Sequence, residues 1–427
     1  MRKTMLGAIV LTAGVLVAPA PAAAAATCGG WPVTIEGTPG DDILTGNTFP
    51  DVIDAGAGND IVSGLGENDV VCLGPGNDTF LGGAGDDVVI FDAATDGADT
   101  ISGGADRDTV DYHARTNPLT VTMSGAADDG AAGEGDNIGA DVEFLQTGSG
   151  GDAVTAGAST LDVRTNGGDD VINSGGRPFM QLIGGAGTDR IDASTSTDRV
   201  SLFGGDGTDT LIGGSGGDVL NGNDGEDTLT GGAGADLLVG DNNPNDVTGG
   251  IDRLNGGPGD DTLRGGGGDD ILRGEGDGDQ IDGNFGNDVI VGGPGDDFRL
   301  FGGDGNDQFI AEPAADGADV MFGGDGTDGV SYSLRTVAVA VTPDDRADDG
   351  AFLEGDNVGG DVENITGGQG GDFLFGNTSA NRLFGGNGSD SLDARDGVGG
   401  NDRVDGAQGT GIDTCLADPG DTIENCP

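Results

Sequence analysis

The feature that most constrains this chain is a repeat of nine residues. Six units follow one another without a gap from Gly37 to Ile90: GTPGDDILT, GNTFPDVID, AGAGNDIVS, GLGENDVVC, LGPGNDTFL and GGAGDDVVI. The sixth position is always aspartate and the eighth is always apolar. This strict period predicts a solenoid, in which the apolar residue faces inward to pack and the aspartate faces outward to bind.

Each unit predicts a tight turn followed by a short strand. Glycines at or near positions one, two and four permit the turn, and the β-branched residues at positions seven to nine favour a strand. If two units complete one coil, Asp42 stacks over Asp60 and Asp51 stacks over Asp69. Each such pair, together with turn carbonyls, would form an all-oxygen cage. A cage of this kind suits Ca²⁺ better than Mg²⁺, which requires rigid octahedral geometry.

These units resemble the hemolysin-type, or RTX, nonapeptide repeat G-G-x-G-x-D-x-U-x. The near-perfect copies are GGDGTDTLI from Gly204, GGPGDDTLR from Gly256 and GGGGDDILR from Gly265. The resemblance implies an all-β fold, a right-handed parallel β-roll with calcium held between its turns. The aspartates expected to bind calcium are Asp42, Asp51, Asp60, Asp69, Asp78, Asp87, Asp108, Asp209, Asp218, Asp227, Asp236, Asp261, Asp270, Asp279, Asp288, Asp297, Asp307, Asp328, Asp372 and Asp390.

The composition agrees with a fold that depends on metal. With 92 glycines, a net charge of −59 and only 4% aromatic residues, the chain cannot build an ordinary thick core. An acidic, glycine-rich chain of this kind is typically disordered, so we expect disorder without metal and the roll with it. The negative charge also excludes binding to nucleic acid.

The amino terminus predicts secretion. Arg2 and Lys3 precede an apolar run from Met5 to Val17, and a small-residue stretch from Pro19 to Ala26 follows. This is the pattern of a secretory signal peptide, assigned to residues 1–26. A lipoprotein is disfavoured because Thr27 precedes the first cysteine, and no other apolar run is long enough to span a membrane.

Four cysteines lie near the two ends of the chain, at Cys28, Cys72, Cys415 and Cys426. Three pairings are open, and proximity in sequence favours the two local ones. Such bridges would staple the ends of a solenoid in an oxidising compartment. A zinc site is the competing interpretation, but the pairs are too far apart for a CxxC pattern and His113 is the only histidine.

A larger module is duplicated inside the array. The stretch from Asp96 to Asp152 aligns without a gap on the stretch from Asp316 to Asp372. The shared residues are Tyr112 with Tyr332, Arg115 with Arg335, and the acidic cluster Asp128, Asp129, Glu134, Asp136, Asn137 with Asp348, Asp349, Glu354, Asp356, Asn357. Two interpretations stay open for this cluster: a hairpin excursion with polar turns, or an additional calcium site.

The chain is therefore divided into seven parts. The signal peptide is followed by a cap and roll at 27–90, a first insertion module at 91–147, a central roll at 148–310, a second insertion module at 311–366, a carboxy-terminal roll at 367–414 and a disulfide-closed tail at 415–427. The central roll is degenerate at 156–201, where calcium is least expected. An asparagine-rich stretch at 241–249 predicts either a bulge loop or a break between rolls.

The residue types present favour binding over catalysis. With one histidine, the chain has no HExxH motif and no histidine-dependent triad. Relatives of the repeat often carry a protease, lipase or pore-forming domain, and none is expected here. The leading hypothesis is a secreted, monomeric, non-enzymatic protein that binds many calcium ions and folds on binding. The alternative is a calcium-dependent adhesin or matrix-binding protein whose partner is unknown.

Overall fold

The computed structural model describes residues 26–177, 179–242, 249–407 and 411–426. Residues 1–25, and with them nearly all of the expected signal peptide, lie outside this range. The described residues form strands and turns, with no helix among them. Four sheets of 5, 16, 16 and 5 strands wrap into a solenoid, and a short antiparallel pair, Thr27–Cys28 with Trp31–Pro32, lies at its start.

Sheets 1 and 2 begin the solenoid, and sheet 2 continues to residue 358. Sheet 1 contains Ile43–Thr45, Ile61–Gly66, Thr79–Ala84, Thr100–Ala105 and Asn137–Ile138. Sheet 2 contains Ile35–Glu36, Val52–Asp54, Val70–Cys72, Val88–Ile90, Thr109–Asp111, Phe144–Gln146, Asp162–Arg164, Gln181–Gly187, Ser201–Gly207, Val219–Asp224, Leu237–Val239, Thr262–Gly267, Gln280–Phe285, Arg299–Gly305, Val320–Gly326 and Asn357–Val358.

Sheets 3 and 4 complete the solenoid toward the carboxy terminus. Sheet 3 contains Leu119–Val121, Gly130–Ala131, Ala153–Thr155, Val171–Asn173, Arg190–Asp192, Thr210–Ile212, Thr228–Thr230, Arg253–Pro258, Ile271–Gly276, Val289–Val291, Gln308–Ile310, Asp328–Ser331, Val362–Thr366, Arg382–Phe384, Arg403–Asp405 and Thr422–Glu424. Sheet 4 contains Val339–Val341, Gly350–Ala351, Phe373–Phe375, Ser391–Asp393 and Thr414–Leu416.

The strand register confirms a coil of two nonapeptide units. Ile43 pairs with Ile61 in sheet 1, and Val52 pairs with Val70 in sheet 2, both in parallel. Strands that are neighbours within a sheet are therefore eighteen residues apart where the repeat is regular, while consecutive units alternate between sheets. The parallel β-roll expected from the sequence is the observed fold.

The core is a continuous column of apolar side chains between two facing sheets. Residues at the eighth position, such as Val62, Phe80 and Leu263, are 1% exposed or less. The expectation that the aspartates face outward was wrong, because Asp60 and Asp270 are equally buried. Each carboxylate lies against a neighbouring coil, since Oδ1 of Asp60 accepts from the amide of Asp42 and Oδ1 of Asp270 accepts from that of Asp252, and a single unit cannot reveal this contact.

Each insertion module exchanges one sheet of the solenoid for another. In the first module, sheet 1 ends with Asn137–Ile138 and sheet 3 begins with Leu119–Val121, while sheet 2 continues. In the second, sheet 2 ends with Asn357–Val358 and sheet 4 begins with Val339–Val341, while sheet 3 continues. Both modules therefore keep one face of the roll and replace the opposite face.

The acidic stretch of each module forms a hairpin excursion, one of the two interpretations that the sequence left open. Leu119 pairs antiparallel with Ala131 in the first module, and Val339 pairs antiparallel with Ala351 in the second. An antiparallel bridge joins Asp129 to Asp136 at the base of the first excursion. The excursion leads the chain from the newly started sheet back to the sheet that ends.

The asparagine-rich stretch at 241–249 does not break the roll. The strand Thr228–Thr230 pairs with Arg253–Pro258 across it, and Leu237–Val239 pairs with Thr262–Gly267. Both sheets are thus continuous on either side of this stretch, of which residues 243–248 lie outside the described residues.

The two local disulfides expected from sequence proximity are formed. Cys28 is bonded to Cys72 with a Cα–Cα distance of 5.7 Å, and Cys415 is bonded to Cys426 with one of 6.0 Å. The first bridge ties the amino-terminal strand pair to the second coil of sheet 2, and the second closes the carboxy-terminal end of the solenoid.

Candidate metal sites

Stacked aspartates are connected to one another by backbone hydrogen bonds. The backbone amide of Asp60 donates to Oδ1 of Asp78 over 2.7 Å, and the amide of Asp78 donates to Oδ1 of Asp99 over 2.7 Å. The same bond recurs at nearly every turn, and we call each continuous series an aspartate ladder. The stacking expected for Asp42 with Asp60 and for Asp51 with Asp69 is observed.

One ladder runs beside each sheet. The sheet 1 ladder is Asp42, Asp60, Asp78, Asp99 and Asp136. The sheet 2 ladder is Asp51, Asp69, Asp87, Asp108 and Glu143, and it resumes with Asp218, Asp236, Asp261, Asp279, Asp297, Asp319 and Asp356. The sheet 3 ladder is Asp152, Asp170, Asp189, Asp209, Asp227, Asp252, Asp270, Asp288, Asp307, Asp328 and Glu363. The sheet 4 ladder is Asp372, Asp390 and Asp413.

The second carboxylate oxygen of most ladder aspartates is buried and has no hydrogen-bond partner. Buried polar atoms in proteins are almost always paired, so a long series of unpaired oxygens requires an explanation. Among the aspartates expected to bind calcium, those with an unpaired Oδ2 are Asp60, Asp69, Asp78, Asp87, Asp108, Asp209, Asp227, Asp236, Asp261, Asp270, Asp279, Asp288, Asp297, Asp307, Asp328 and Asp390. A bound cation is the partner that an acceptor-only group such as a carboxylate can take.

Four of the expected ligands differ, because the chain itself donates a hydrogen bond to Oδ2 of each. Oδ2 of Asp42 accepts from the amide of Thr38 over 2.6 Å, and Oδ2 of Asp218 accepts from the amide of Gly214 over 2.6 Å. Asp51 and Asp372 are paired in the same way with residues four positions before them. Asp42, Asp51 and Asp372 begin ladders and Asp218 resumes one after an interruption, so these carboxylates are held without a cation.

Several aspartates outside the expected set have the same surroundings. An unpaired, buried Oδ2 is also present in Asp99, Asp152, Asp170, Asp189, Asp252 and Asp402. The nonapeptide phase does not identify Asp99 and Asp252, because inserted residues separate Asp99 from Asp78 by 21 positions and Asp252 from Asp227 by 25. The signal that would have found them is the short motif itself, an aspartate directly before a strand, whatever the spacing from the previous one.

The glycine at the first position of a unit keeps the space beside the carboxylate open. A Cβ atom on Gly265 would lie 2.3 Å from Oδ2 of Asp270 and 2.7 Å from the carbonyl oxygen of Gly283 in the next coil. The same crowding occurs at Gly204 with Asp209. Oδ2 and a carbonyl oxygen of the neighbouring coil therefore face one space, which any larger residue would fill.

Burial raises the pKa of these carboxylates in the absence of a cation. Loss of solvent raises the pKa of Asp270 to about 9 and that of Asp252 to about 8, and neighbouring carboxylates add to the effect. The pKa of Asp279 is likewise raised to about 8. A column of buried carboxylates favours protonation or cation binding, because either one removes the negative charge.

Side chains alone do not complete a cation site in the part of the chain that the structure describes. No three histidine, cysteine, aspartate or glutamate side chains converge there as they would around a zinc ion. A cation beside a ladder would therefore take one or two carboxylate oxygens and fill its remaining positions with backbone carbonyls. Such an all-oxygen shell fits Ca²⁺, which accepts six to eight oxygens in flexible geometry.

The degenerate stretch at 156–201 interrupts one ladder and leaves the other intact. Beside sheet 2, Leu161, Met180 and Val200 occupy the turn positions between Glu143 and Asp218. Beside sheet 3, the ladder continues through Asp152, Asp170, Asp189 and Asp209. The loss of repeat character is thus confined to one edge of the roll.

Two carboxylates in the hairpin excursion of each insertion module are hydrogen-bonded within the protein. Oδ1 and Oδ2 of Asp129 accept from the amides of Thr122 and Ile138, over 2.6 and 2.8 Å. Oε2 of Glu134 accepts from the amide of Ala131 over 2.7 Å. The equivalent residues of the second module, Asp349 and Glu354, make the same bonds. These carboxylates therefore lack the unpaired oxygens that mark the ladders.

A comparison with protein-family models agrees with this geometry. The model of the RTX calcium-binding nonapeptide repeat matches residues 36–71, 74–96, 93–114, 181–202, 203–241, 246–281, 282–316 and 366–398, which together exceed half of the chain. The chain belongs to the RTX calcium-binding repeat family. No curated protein sequence matches it.

The RTX matches follow the ladders and stop at the irregular parts of the roll. They leave out residues 115–180 and 317–365, which hold the hairpin excursions of both modules and the start of the degenerate stretch. Calcium binding is thus the property that the RTX repeats bring to this protein. In the described ranges no helix is present that could cross a membrane.

Proposed function

We propose that this RTX protein is secreted, binds many calcium ions along its aspartate ladders, and folds when it binds them. The observation that carries the proposal is the repeated, buried and unpaired Oδ2 of the ladder aspartates. Each Oδ2 would supply one ligand to a calcium ion, and backbone carbonyls of the turns would supply others. The bound ion would balance the negative charge of the buried carboxylates.

The proposed ligands are the aspartates with an unpaired Oδ2: those that the repeat predicts, the ladder residues Asp99, Asp152, Asp170, Asp189 and Asp252, and Asp402, whose Oδ1 accepts from the amide of Asn381. Asp42, Asp51, Asp218 and Asp372 are proposed to have a structural role, because the chain already donates a hydrogen bond to Oδ2 of each. The assignment divides the twenty aspartates expected from sequence into two classes that mutation can separate.

Folding on binding follows from the charge of the chain. A net charge of −59 on 427 residues opposes a compact state, and the metal-free roll would bury long columns of like charges. If external calcium is one to ten times the dissociation constant of a site, each ion stabilises the folded state by about 0.4 to 1.4 kcal/mol. Many such sites would carry most of the folding free energy.

Secretion is supported by the signal-peptide pattern at 1–26 and by two disulfides, which form in oxidising compartments. Millimolar calcium outside the cell would then be the trigger for folding. We propose a structural, calcium-binding role for this protein, because the RTX repeats make up more than half of the chain.

A calcium titration of the oxidised mature chain tests the proposal. Far-ultraviolet circular dichroism should change cooperatively from coil to β-structure as calcium rises from chelator to millimolar levels. Magnesium at the same concentrations should not replace calcium. Strand content that is equal in chelator and in calcium would refute folding on binding.

A further inference from the structure

The insertion modules end two of the ladders, and they end them without an unpaired oxygen. Oδ1 of Asp136, the last residue of the sheet 1 ladder, accepts from the amide of Asp99 over 3.0 Å, and its Oδ2 accepts from the hydroxyl of Tyr112 over 2.7 Å. In the second module, Asp356 ends the sheet 2 ladder with a 2.9 Å bond from Tyr332. A tyrosine hydroxyl therefore occupies the oxygen that is unpaired in the interior of a ladder.

A buried arginine lies beside each ladder end. The side chain of Arg115 is 0% exposed, and its Nη2 is 2.7 Å from Oδ1 of Asp96 and 2.9 Å from Oε1 of Glu134. Arg335 makes the equivalent pair of contacts, each of 2.6 Å, with Asp316 and Glu354. Each guanidinium thus places a permanent positive charge between two carboxylates that lie beside the end of an aspartate ladder.

The modules also have a thicker core than the repeats. The largest fully buried side chains of the described residues include both arginines, Tyr112, Tyr332 and Phe91. The rings of Phe91 and Tyr112 stack with centroids 4.2 Å apart, and the Arg115 guanidinium lies 5.8 Å from the Tyr112 ring. The core of the first module therefore includes an aromatic pair and a buried arginine in addition to the aliphatic residues that the repeats bury.

We propose that the hairpin excursion of each insertion module, residues 111–138 and 331–358, is a folding unit that does not need calcium, in which Arg115 or Arg335 supplies the positive charge that calcium supplies elsewhere in the ladders. These excursions do not include the calcium ligands proposed at Asp99, Asp108 and Asp328. The inference rests on the proposed calcium-driven folding of the repeats. In chelator the two excursions remain ordered, and on addition of calcium the adjacent coils fold against their exposed strand edges. The chain would then fold outward from two fixed points instead of from random positions.

Replacement of one buried arginine should test whether it keeps its excursion folded in chelator. A buried pair between arginine and carboxylates adds little net stability, but loss of one partner leaves the other charges buried and uncompensated. Arg335→Gln should therefore unfold the second excursion in chelator, while the first excursion, which keeps Arg115, provides an internal reference. Arg346→Gln is the matched control, since Arg346 lies in the same excursion and its side chain is 74% exposed.

Hydrogen exchange of the oxidised mature chain, followed by mass spectrometry in chelator and in millimolar calcium, tests the inference. In chelator, amides of the excursions should exchange at least about 100-fold more slowly than amides of the repeats, and calcium should remove the difference. In Arg335→Gln, the second excursion should exchange in chelator as fast as the repeats, while the first excursion stays slow. In calcium, slow exchange of the first excursion and of the repeats would show that the variant folds.

Three outcomes would overturn the inference, and they separate it from the proposed function. Fast exchange of both excursions in chelator would refute it and leave calcium-driven folding intact. A second excursion that is as protected in Arg335→Gln as in Arg346→Gln would refute the role of the arginine. Slow exchange of the repeats in chelator would refute the proposed function, and with it the contrast on which this inference depends.

Discussion

The backbone amide of Asp252 donates a hydrogen bond of 2.8 Å to Oδ1 of Asp270, while Oδ2 of Asp270 is buried without a partner. One carboxylate thus has two separate tasks. Its first oxygen joins successive coils, and its second oxygen faces a space that glycine keeps open. The hydrogen bond to Oδ1 and the unpaired Oδ2 can therefore be removed separately by mutation.

Asp270→Asn should weaken calcium binding without breaking the ladder. The amide oxygen can still accept from Asp252, but the charge and the free carboxylate oxygen are lost. We expect about one fewer bound ion and a loss of about 1 kcal/mol of calcium-dependent stability, measured by isothermal calorimetry and by unfolding in calcium. Glu226→Gln removes the same charge from an exposed position and should leave both quantities unchanged. Equal effects of the two variants would mean that overall charge, and not the site, controls binding.

Gly265→Ala should destabilise the calcium-bound protein far more than Gly276→Ala. A Cβ at Gly265 would be 2.3 Å from Oδ2 of Asp270, whereas a Cβ at Gly276 would meet nothing within 4 Å. We expect a loss of about 1–3 kcal/mol of stability in calcium for the first variant and less than about 0.5 kcal/mol for the second. Denaturant unfolding in saturating calcium measures both. Similar midpoints for the two variants would show that the space beside the carboxylate has no role.

The calcium concentration needed for folding should decrease as the pH falls. Burial raises the pKa of Asp270 to about 9, of Asp261 to about 7 and of Asp307 to about 6, all above the value of 3.8 for an exposed aspartate. The metal-free folded state therefore binds more protons than the unfolded state, so its stability is full below about pH 4 and is lost as the pH rises through 6 to 9. Protons and calcium compete for the same oxygens.

Circular dichroism at several pH values checks this linkage. The calcium midpoint for folding should fall from pH 8 to pH 6, because protons on the buried carboxylates also remove their charge, and the chelated chain should gain β-structure at pH 4 compared with pH 8. A midpoint that is constant, or that rises on acidification, would show that the carboxylates that titrate are not those that hold the metal-free roll open.

The two disulfides should contribute unequally. Cys28–Cys72 closes a sequence separation of 44 residues and Cys415–Cys426 one of 11. Loop-closure entropy gives about 4 kcal/mol for the first and about 3 kcal/mol for the second. Paired serine replacements, compared by unfolding in calcium, should rank in this order. A larger loss from the carboxy-terminal pair would mean that native contacts at that end outweigh the entropy of the unfolded chain.

The nonapeptide period was sufficient to predict a solenoid with a buried eighth position, and the RTX resemblance supplied the parallel roll. The period was insufficient for Asp99 and Asp252, because strand pairing, and not the count of residues, keeps an aspartate in its ladder when a turn is longer. The prediction of outward-facing carboxylates was wrong because the amide that binds Oδ1 of Asp60 belongs to Asp42 in another coil, which a single unit does not show. The exchange of sheets at the insertion modules depends on which strand edges meet, and no local pattern encodes that pairing.

The central claim is that calcium lies beside the unpaired oxygens of the ladders. A crystal structure of the calcium-loaded protein, with anomalous difference density collected to reveal calcium, tests it most directly. We predict peaks beside Oδ2 of ladder aspartates such as Asp78, Asp99 and Asp270, and none beside Oδ2 of Asp42 or Asp218. Absence of peaks along the ladders, or peaks only at carboxylates that the chain already pairs, would contradict the account.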